Sequence, residues 1–191
     1  MLPQFQHRLK HCGELCLGIY TSHTDPTIPT FPAASPVYSG APHRKATLLG
    51  HLIVTKTTNL LVTDADMAVP SPSSSSSSST DPTDPTPNTA PGHKEAGRTI
   101  CIHSLAVLPA YQRRGLGRTL LQSFLQRTEA MGVADRAVLI AHEALIPYYE
   151  RFGFANKGRS ECRFGGGGWF DMVRELRPGN KGLGEEEGEE V

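Results

Sequence analysis

At 191 residues and 38% hydrophobic content, the chain is long enough for one ordinary domain but too polar for every part of it to pack. Lys plus Arg and Asp plus Glu both total 19, so the formal net charge is zero and no global field favours nucleic acid or an anionic membrane. Four cysteines (Cys12, Cys16, Cys101, Cys162) are too few for a dense disulfide framework. The C-x3-C pair Cys12 and Cys16 has no second Cys/His pair at zinc spacing, so reduced thiols and no metal are expected.

The first twenty residues, "MLPQFQHRLKHCGELCLGIY", are interrupted by charges and lack the apolar core of a signal peptide. No run approaches about 18 apolar residues, so a cytoplasmic protein without a membrane span is expected. Residues 1–45 read as an irregular N-terminal region with one early strand at 14–20. Within it, a Pro-rich stretch at 25–42 carries Ile28, Phe31, Val37 and Tyr38 and is able to drape over a core. The core itself reads as 46–177. Strands are expected at 47–55 and 98–107, from their apolar and β-branched content. A Ser/Pro insertion at 70–92 has no large apolar side chain with which to offset the entropy of ordering, and reads as disordered. Leu116, Leu120 and Phe124, widened by Leu121 and Leu125, predict a helix over 117–131, followed by a buried strand at 136–141. A short helix at 144–151 and a final strand from 169 complete the core, and 178–191 reads as an acidic disordered tail. Strand, helix and strand follow within about 45 residues, so the fold class is α/β, a mixed sheet containing a βαβ unit.

One stretch carries the chemistry: "AVLPAYQRRGLGRTLLQSFLQ", residues 106–126. A strand ends, a basic glycine turn follows, and an amphipathic helix begins with no Ser, Thr, Asp or Asn to cap it. Free amides at a helix N-terminus, with about half a positive charge from the macrodipole, form an anion site. Gly115 and Gly117 allow a ligand close to the backbone, and Arg113, Arg114 and Arg118 surround it with cations. A phosphate group is the expected cap. On this stretch alone, a structural turn with exposed arginines explains the residues as well, and neither the P-loop nor the dinucleotide fingerprint is present.

"QRRGLG" fits the Gln/Arg-x-x-Gly-x-Gly/Ala signature of the GNAT acetyltransferase superfamily. With "IHSLAV", "RAVLIAHEALIPYYERFGF" and "GGGGWFDM" in order, the chain closely resembles the arylalkylamine (serotonin) N-acetyltransferase family and its fungal polyamine-acetylating relatives over 48–176, outside the insertion. The resemblance implies the GNAT acyl-CoA N-acyltransferase fold, acetyl-CoA as cosubstrate, and a primary amine that attacks the thioester directly. It implies that Leu105, Ala106 and Val107 pair with the pantetheine arm and that Arg113, Arg114, Gly115, Leu116, Gly117 and Arg118 form the pyrophosphate loop. His103 takes the place of one of two histidines implicated in removing the amine proton through water, and Cys101 stands at the other. Tyr149 matches the tyrosine that serves the departing thiolate. Cys101, Ile140 and Trp169 are assigned to the amine pocket. The family also places a strand and two helices before "CGELCLGIY", and the expectation is a fold lacking them, with activity impaired as a result.

Read without the resemblance, His103 is equally a strand histidine with a satisfied hydrogen bond, and Tyr149 a half-buried helix tyrosine. Tyr148, Phe152, Phe154 and Trp169 read as core aromatics. A defective acyl-CoA-binding domain is the alternative function. The expected partner is a small amine, either an arylalkylamine or a polyamine whose distal ammonium pairs with Glu143 or Asp171. No nucleic acid is expected, and a monomer is favoured.

Overall fold

The computed structural model describes residues 2–21, 47–69 and 92–177. The expectations for the Pro-rich stretch, the Ser/Pro insertion and the acidic tail lie outside the described residues. Helix α1 (Leu2–Cys12) leads through a 3-10 turn (Gly13–Leu15) into strand β1 (Leu17–Thr21). A helix over Leu2–Cys12 therefore stands where irregular chain is expected, and the early strand expected at 14–20 is present as β1. Pro3 sits in the first turn of α1, where a missing N–H costs nothing. The inward face carries Arg8 and Cys12, while Leu9 is 48% exposed. An arginine on the buried stripe hides the helical period from a hydrophobicity reading.

Strand β2 (Thr47–Thr57) and strand β3 (Thr99–Val107) flank the short helix α2 (Asp64–Met67). The sequence reading missed α2, although Thr63 and Asp66 form a reciprocal capping box at its start. Helix α3 (Leu116–Met131) then crosses over to strand β4 (Arg136–Ala141). It ends at Gly132, whose positive φ of 61° lets its N–H reach the carbonyls of Thr128 and Glu129. The expected helix at 144–151 divides into a 3-10 turn (Glu143–Leu145) and helix α4 (Ile146–Glu150). Strand β5 (Ala155–Arg159), also missed, is nearly all polar and lies at the sheet edge; strand β6 (Phe170–Glu175) closes the core.

The six strands run in the order β1-β2-β3-β4-β6-β5, and only β3 and β4 are parallel. The first face of the sheet presents Leu52, Val54, Ile100, Leu139 and Met172 to Leu120, Leu121, Phe124 and Leu125 of α3. Burying each such side chain contributes about 1.5–3 kcal/mol, so this face holds the domain together. The second face is smaller: Cys101, Val138 and Val173 meet Val62, Met67 and Cys162, with Ile140 and Phe164 at its rim.

Candidate active site

The parallel pair is joined over only three positions, Thr99↔Arg136, Ile100↔Ala137 and Cys101↔Val138. Beyond them β3 continues to Val107 against β2, and β4 continues to Ala141 against β6. The two strands therefore part. The cause is a bulge in β3: Val54 faces Ile102 while Ile53 faces Ser104, which leaves His103 as the extra residue. A bulge bends its strand and re-aims side chains. Residues 102–107 consequently offer their β4-side backbone groups to a gap, where buried amides and carbonyls need partners. One is supplied locally, since the Gln112 side chain donates to the Val107 carbonyl at 3.0 Å. Ala106 is exposed, and Leu105 and Val107 are half-buried.

The same end of β3 feeds the glycine turn. Gly115 caps α3 with φ 84° and without any side-chain hydrogen bond, and a Cβ there would meet nothing within 4 Å. Arg113 also takes a left-handed conformation (φ 59°), uncommon for a side-chain-bearing residue. Arg113, Arg114 and Arg118 are exposed, and no acidic residue stands in the first turn of α3. Arg114 lies over the Tyr111 ring at 5.3 Å. A Cβ on Gly117 would stand 3.4 Å from the Tyr148 hydroxyl and 3.8 Å from Val107, so this phenol borders both the helix start and the gap. Open amides, cations and an extended backbone edge thus meet at one place. That combination fits a ligand with an anionic end and a peptide-like arm.

His103 lies on the second face. Its Nε2 is 2.7 Å from Thr55 Oγ1, and its Nδ1 is 3.3 Å from Met67 Sδ and 3.9 Å from Cys101 Sγ. Nε2 is thus hydrogen-bonded to the Thr55 hydroxyl, while Nδ1 faces the sulfurs of Met67 and Cys101. Both ring nitrogens are engaged inside the protein. Arg8 reaches the same region and donates to the Met67 carbonyl at 2.9 Å. Burial, with Arg8 adding to it, pushes His103 down to about 3. Burial also pushes the Cys101 thiol up, which disfavours the thiolate form that a nucleophile needs.

Tyr149 packs on the first face, as do Leu105 and Val107. Its ring stands edge-on to Tyr148 and Phe154, at 5.1 and 5.9 Å. Burial, then Tyr148, pushes its hydroxyl up to about 12, which keeps it a neutral donor. Trp169 stacks on His142 at 3.9 Å and donates to the Phe164 carbonyl at 2.7 Å, at the rim of the second face. The structure therefore brings Cys101, His103 and Ile140 together on one face and holds Tyr149 on the other. A separate cleft of about 630 Å³, lined by Gln122, Glu129, Arg151, Phe152 and Arg174, lies along the later turns of α3, away from Gly115. Sequence reasoning missed Thr55, Met67 and Arg8, because only the folded chain places them against His103.

The acetyltransferase (GNAT) domain family matches residues 88–176. Serotonin N-acetyltransferase of Mesocricetus auratus is 34% identical over 85 residues, 44% of this chain and 41% of that protein. The Homo sapiens protein of the same name is 32% identical over 85 residues, with the same 44% and 41% shares. The match therefore spans about two fifths of the length of these curated relatives. Among solved structures, the NatC complex bound to Gag peptide and CoA is similar in fold, with a TM-score of 0.52 at 16% identity over 92% of this chain and 80% of that one.

Proposed function

We propose that this chain, which belongs to the GNAT acetyltransferases through its domain at residues 88–176, transfers the acetyl group of acetyl-CoA to a primary amine. The observation that carries the reading is the parting of β3 from β4 beside an uncapped helix N-terminus. The pantetheine arm lies along residues 102–107 as the missing strand partner, and the pyrophosphate takes the amides from Gly115 onward. CoA in the solved relative of the same fold supports this choice of ligand.

The acetyl carbonyl then rests where the strands part, between the two faces. The amine nitrogen attacks the carbonyl carbon from the His103 side. The new C–N bond forms, the C–S bond breaks, and the amine proton leaves to water. His103 cannot store that proton: an amine near 10.4 lies roughly seven pH units above it. Its part is to stay neutral beside the reacting amine, held by Thr55, while the amine proton itself passes to water. Tyr149 approaches the sulfur from the other face. With its hydroxyl near 12 and a thiol near 8.5, full transfer is uphill by about 5 kcal/mol, so Tyr149 stabilises the thiolate by a hydrogen bond.

The test is thiol release from acetyl-CoA against a panel of arylalkylamines, polyamines and lysine peptides. Amine-dependent release is expected. Thermal stabilisation by acetyl-CoA without release on any amine would select the alternative, an acyl-CoA-binding domain without turnover.

A further inference from the structure

Strand β4 alternates between the two faces: Val138 and Ile140 lie with the second, Leu139 and Ala141 with the first. His142 follows directly in an extended conformation (φ −71°, ψ 152°), which carries the alternation back to the second face. Its ring stacks on that of Trp169 at 3.9 Å and 25°, and Trp169 precedes Phe170, the partner of Ala141. The Trp169 indole is itself pinned by its hydrogen bond to the Phe164 carbonyl. The His142 backbone is fixed as well, since its carbonyl accepts from the Leu145 amide at 2.8 Å. The imidazole is therefore held by packing, and neither ring nitrogen has a hydrogen-bond partner among the described residues.

Position gives those free nitrogens a use. β3 and β4 are joined no further than Cys101 and Val138, so Ile140 and His142 both border the gap. His142 stands two residues beyond Ile140, roughly 6.6 Å along the strand, and is exposed where Ile140 is half-buried. Deeper in, the second face is closed by Val62, Met67 and Cys162, so an amine reaching the gap on this face arrives past the His142–Trp169 pair. The other proton acceptors on the face are withdrawn. His103 Nε2 is taken by Thr55, and burial holds its ring neutral. Cys101 is wholly buried, and Asp171 is 6% exposed. Imidazole gains and loses a proton near neutrality more readily than any other unperturbed side chain, and one that meets water can pass that proton on.

We infer that His142 is the base of the reaction, taking the proton of the attacking amine directly or across one water and returning it to bulk solvent. The amine nitrogen bonds to the acetyl carbon, and the C–S bond breaks. One N–H proton passes to a free imidazole nitrogen, the electron pair of that N–H bond stays on the new amide nitrogen, and sulfur leaves as the thiolate toward the Tyr149 hydroxyl. The imidazolium then loses its proton to water. Until it does, the Trp169 ring face, which attracts cations, steadies it from 3.9 Å. This inference rests on the acetyltransferase reading for the identity of the reaction.

The experiment measures formation of the N-acetyl product in single turnovers, with protein in excess over acetyl-CoA and with the fastest acceptor among tryptamine, spermidine and a lysine peptide. H142F keeps a ring against Trp169 and removes both nitrogens. It is expected to slow transfer roughly 10²-fold, the lower end of general-base help, with little change in the KM for the amine. H142A should lose as much and regain at least fivefold when free imidazole is added. An H142F rate within twofold of the unaltered chain, or a loss in H142A that imidazole leaves where it is, overturns the assignment. The two claims fail differently. If the unaltered chain acetylates no amine, the acetyltransferase reading falls and the base falls with it; if it acetylates an amine at the same rate in H142F, only the base is overturned.

Discussion

The two faces of the sheet are built for different purposes. Under α3, the first face is closed by aliphatic and aromatic side chains, with Phe124, Leu52, Ile100 and Leu121 almost wholly removed from water. The second face buries Thr55, Thr57, Asp66, Thr99 and Asp171 among fewer apolar groups. Three of these polar groups are held by neighbouring side chains: Thr57 donates to Asp66 at 2.6 Å, and Thr55 is hydrogen-bonded to His103. Asp171 Oδ1 is not. A buried polar group left without a partner costs about 1–3 kcal/mol, and Thr47 Oγ1 and Asp171 Oδ1 are two such atoms among the described residues. The closed apolar core lies on one face, with Tyr149, Leu105 and Val107 at its border, and the buried polar groups lie with His103 on the other.

That division predicts where substitutions act. Phe124→Ala should be the most damaging, costing about 3–5 kcal/mol in denaturant unfolding, because α3 cannot collapse into the cavity. If it is tolerated, the first face is not the structural one. Gly117→Asp should come next. It places bulk against the Tyr148 hydroxyl and negative charge at the anion site, and should abolish stabilisation by acetyl-CoA, about 2.7 kcal/mol at a hundredfold excess over Kd. An undiminished thermal shift would remove the phosphate assignment. Tyr149→Phe should lower kcat by about 10²-fold with the Kd for acetyl-CoA nearly unchanged. Loss of binding instead would make Tyr149 a packing residue.

A smaller effect concerns His103. Its pKa is depressed by folding, so the folded state resists protonation that the unfolded chain accepts below about 6.5. Stability is complete above that pH and is lost as pH falls from about 6.5 toward about 3. His103→Gln should remove this acid-sensitive part. It should also slow acetyl transfer more at pH 7 than at pH 9, where neutral amine is plentiful. Urea unfolding and initial rates at paired pH values check both, and equal rate losses at the two pH values would contradict a place for His103 beside the reacting amine. The smallest effect is Thr63→Ala, which removes the α2 cap for about 1 kcal/mol.

Part of the candidate site's local geometry was legible before the fold. Gly115 and Gly117 stand out because a helix starting on "RRGLG" lacks a capping side chain, and that absence is local. The run of Leu120, Leu121, Phe124 and Leu125 gives α3 from its period alone. The bulge at His103 was not legible, because it exists only in the register against β2. Nor was the company His103 keeps: Met67 arrives from α2 and Arg8 from α1. β5 escaped notice because "ANKGR" has no alternating apolar residues, as suits a solvated edge. Asp171 was visible only as an acid near an aromatic; its want of a partner is a property of the folded neighbourhood.

The central claim is that the cosubstrate takes the place of a strand between β3 and β4. Amide hydrogen exchange with and without acetyl-CoA tests it most directly. Amides within 102–107, together with Gly115 to Gly117, should gain protection on binding, while β5 should not change. Binding without added protection along 102–107 would mean that acetyl-CoA lies elsewhere, and would contradict the account.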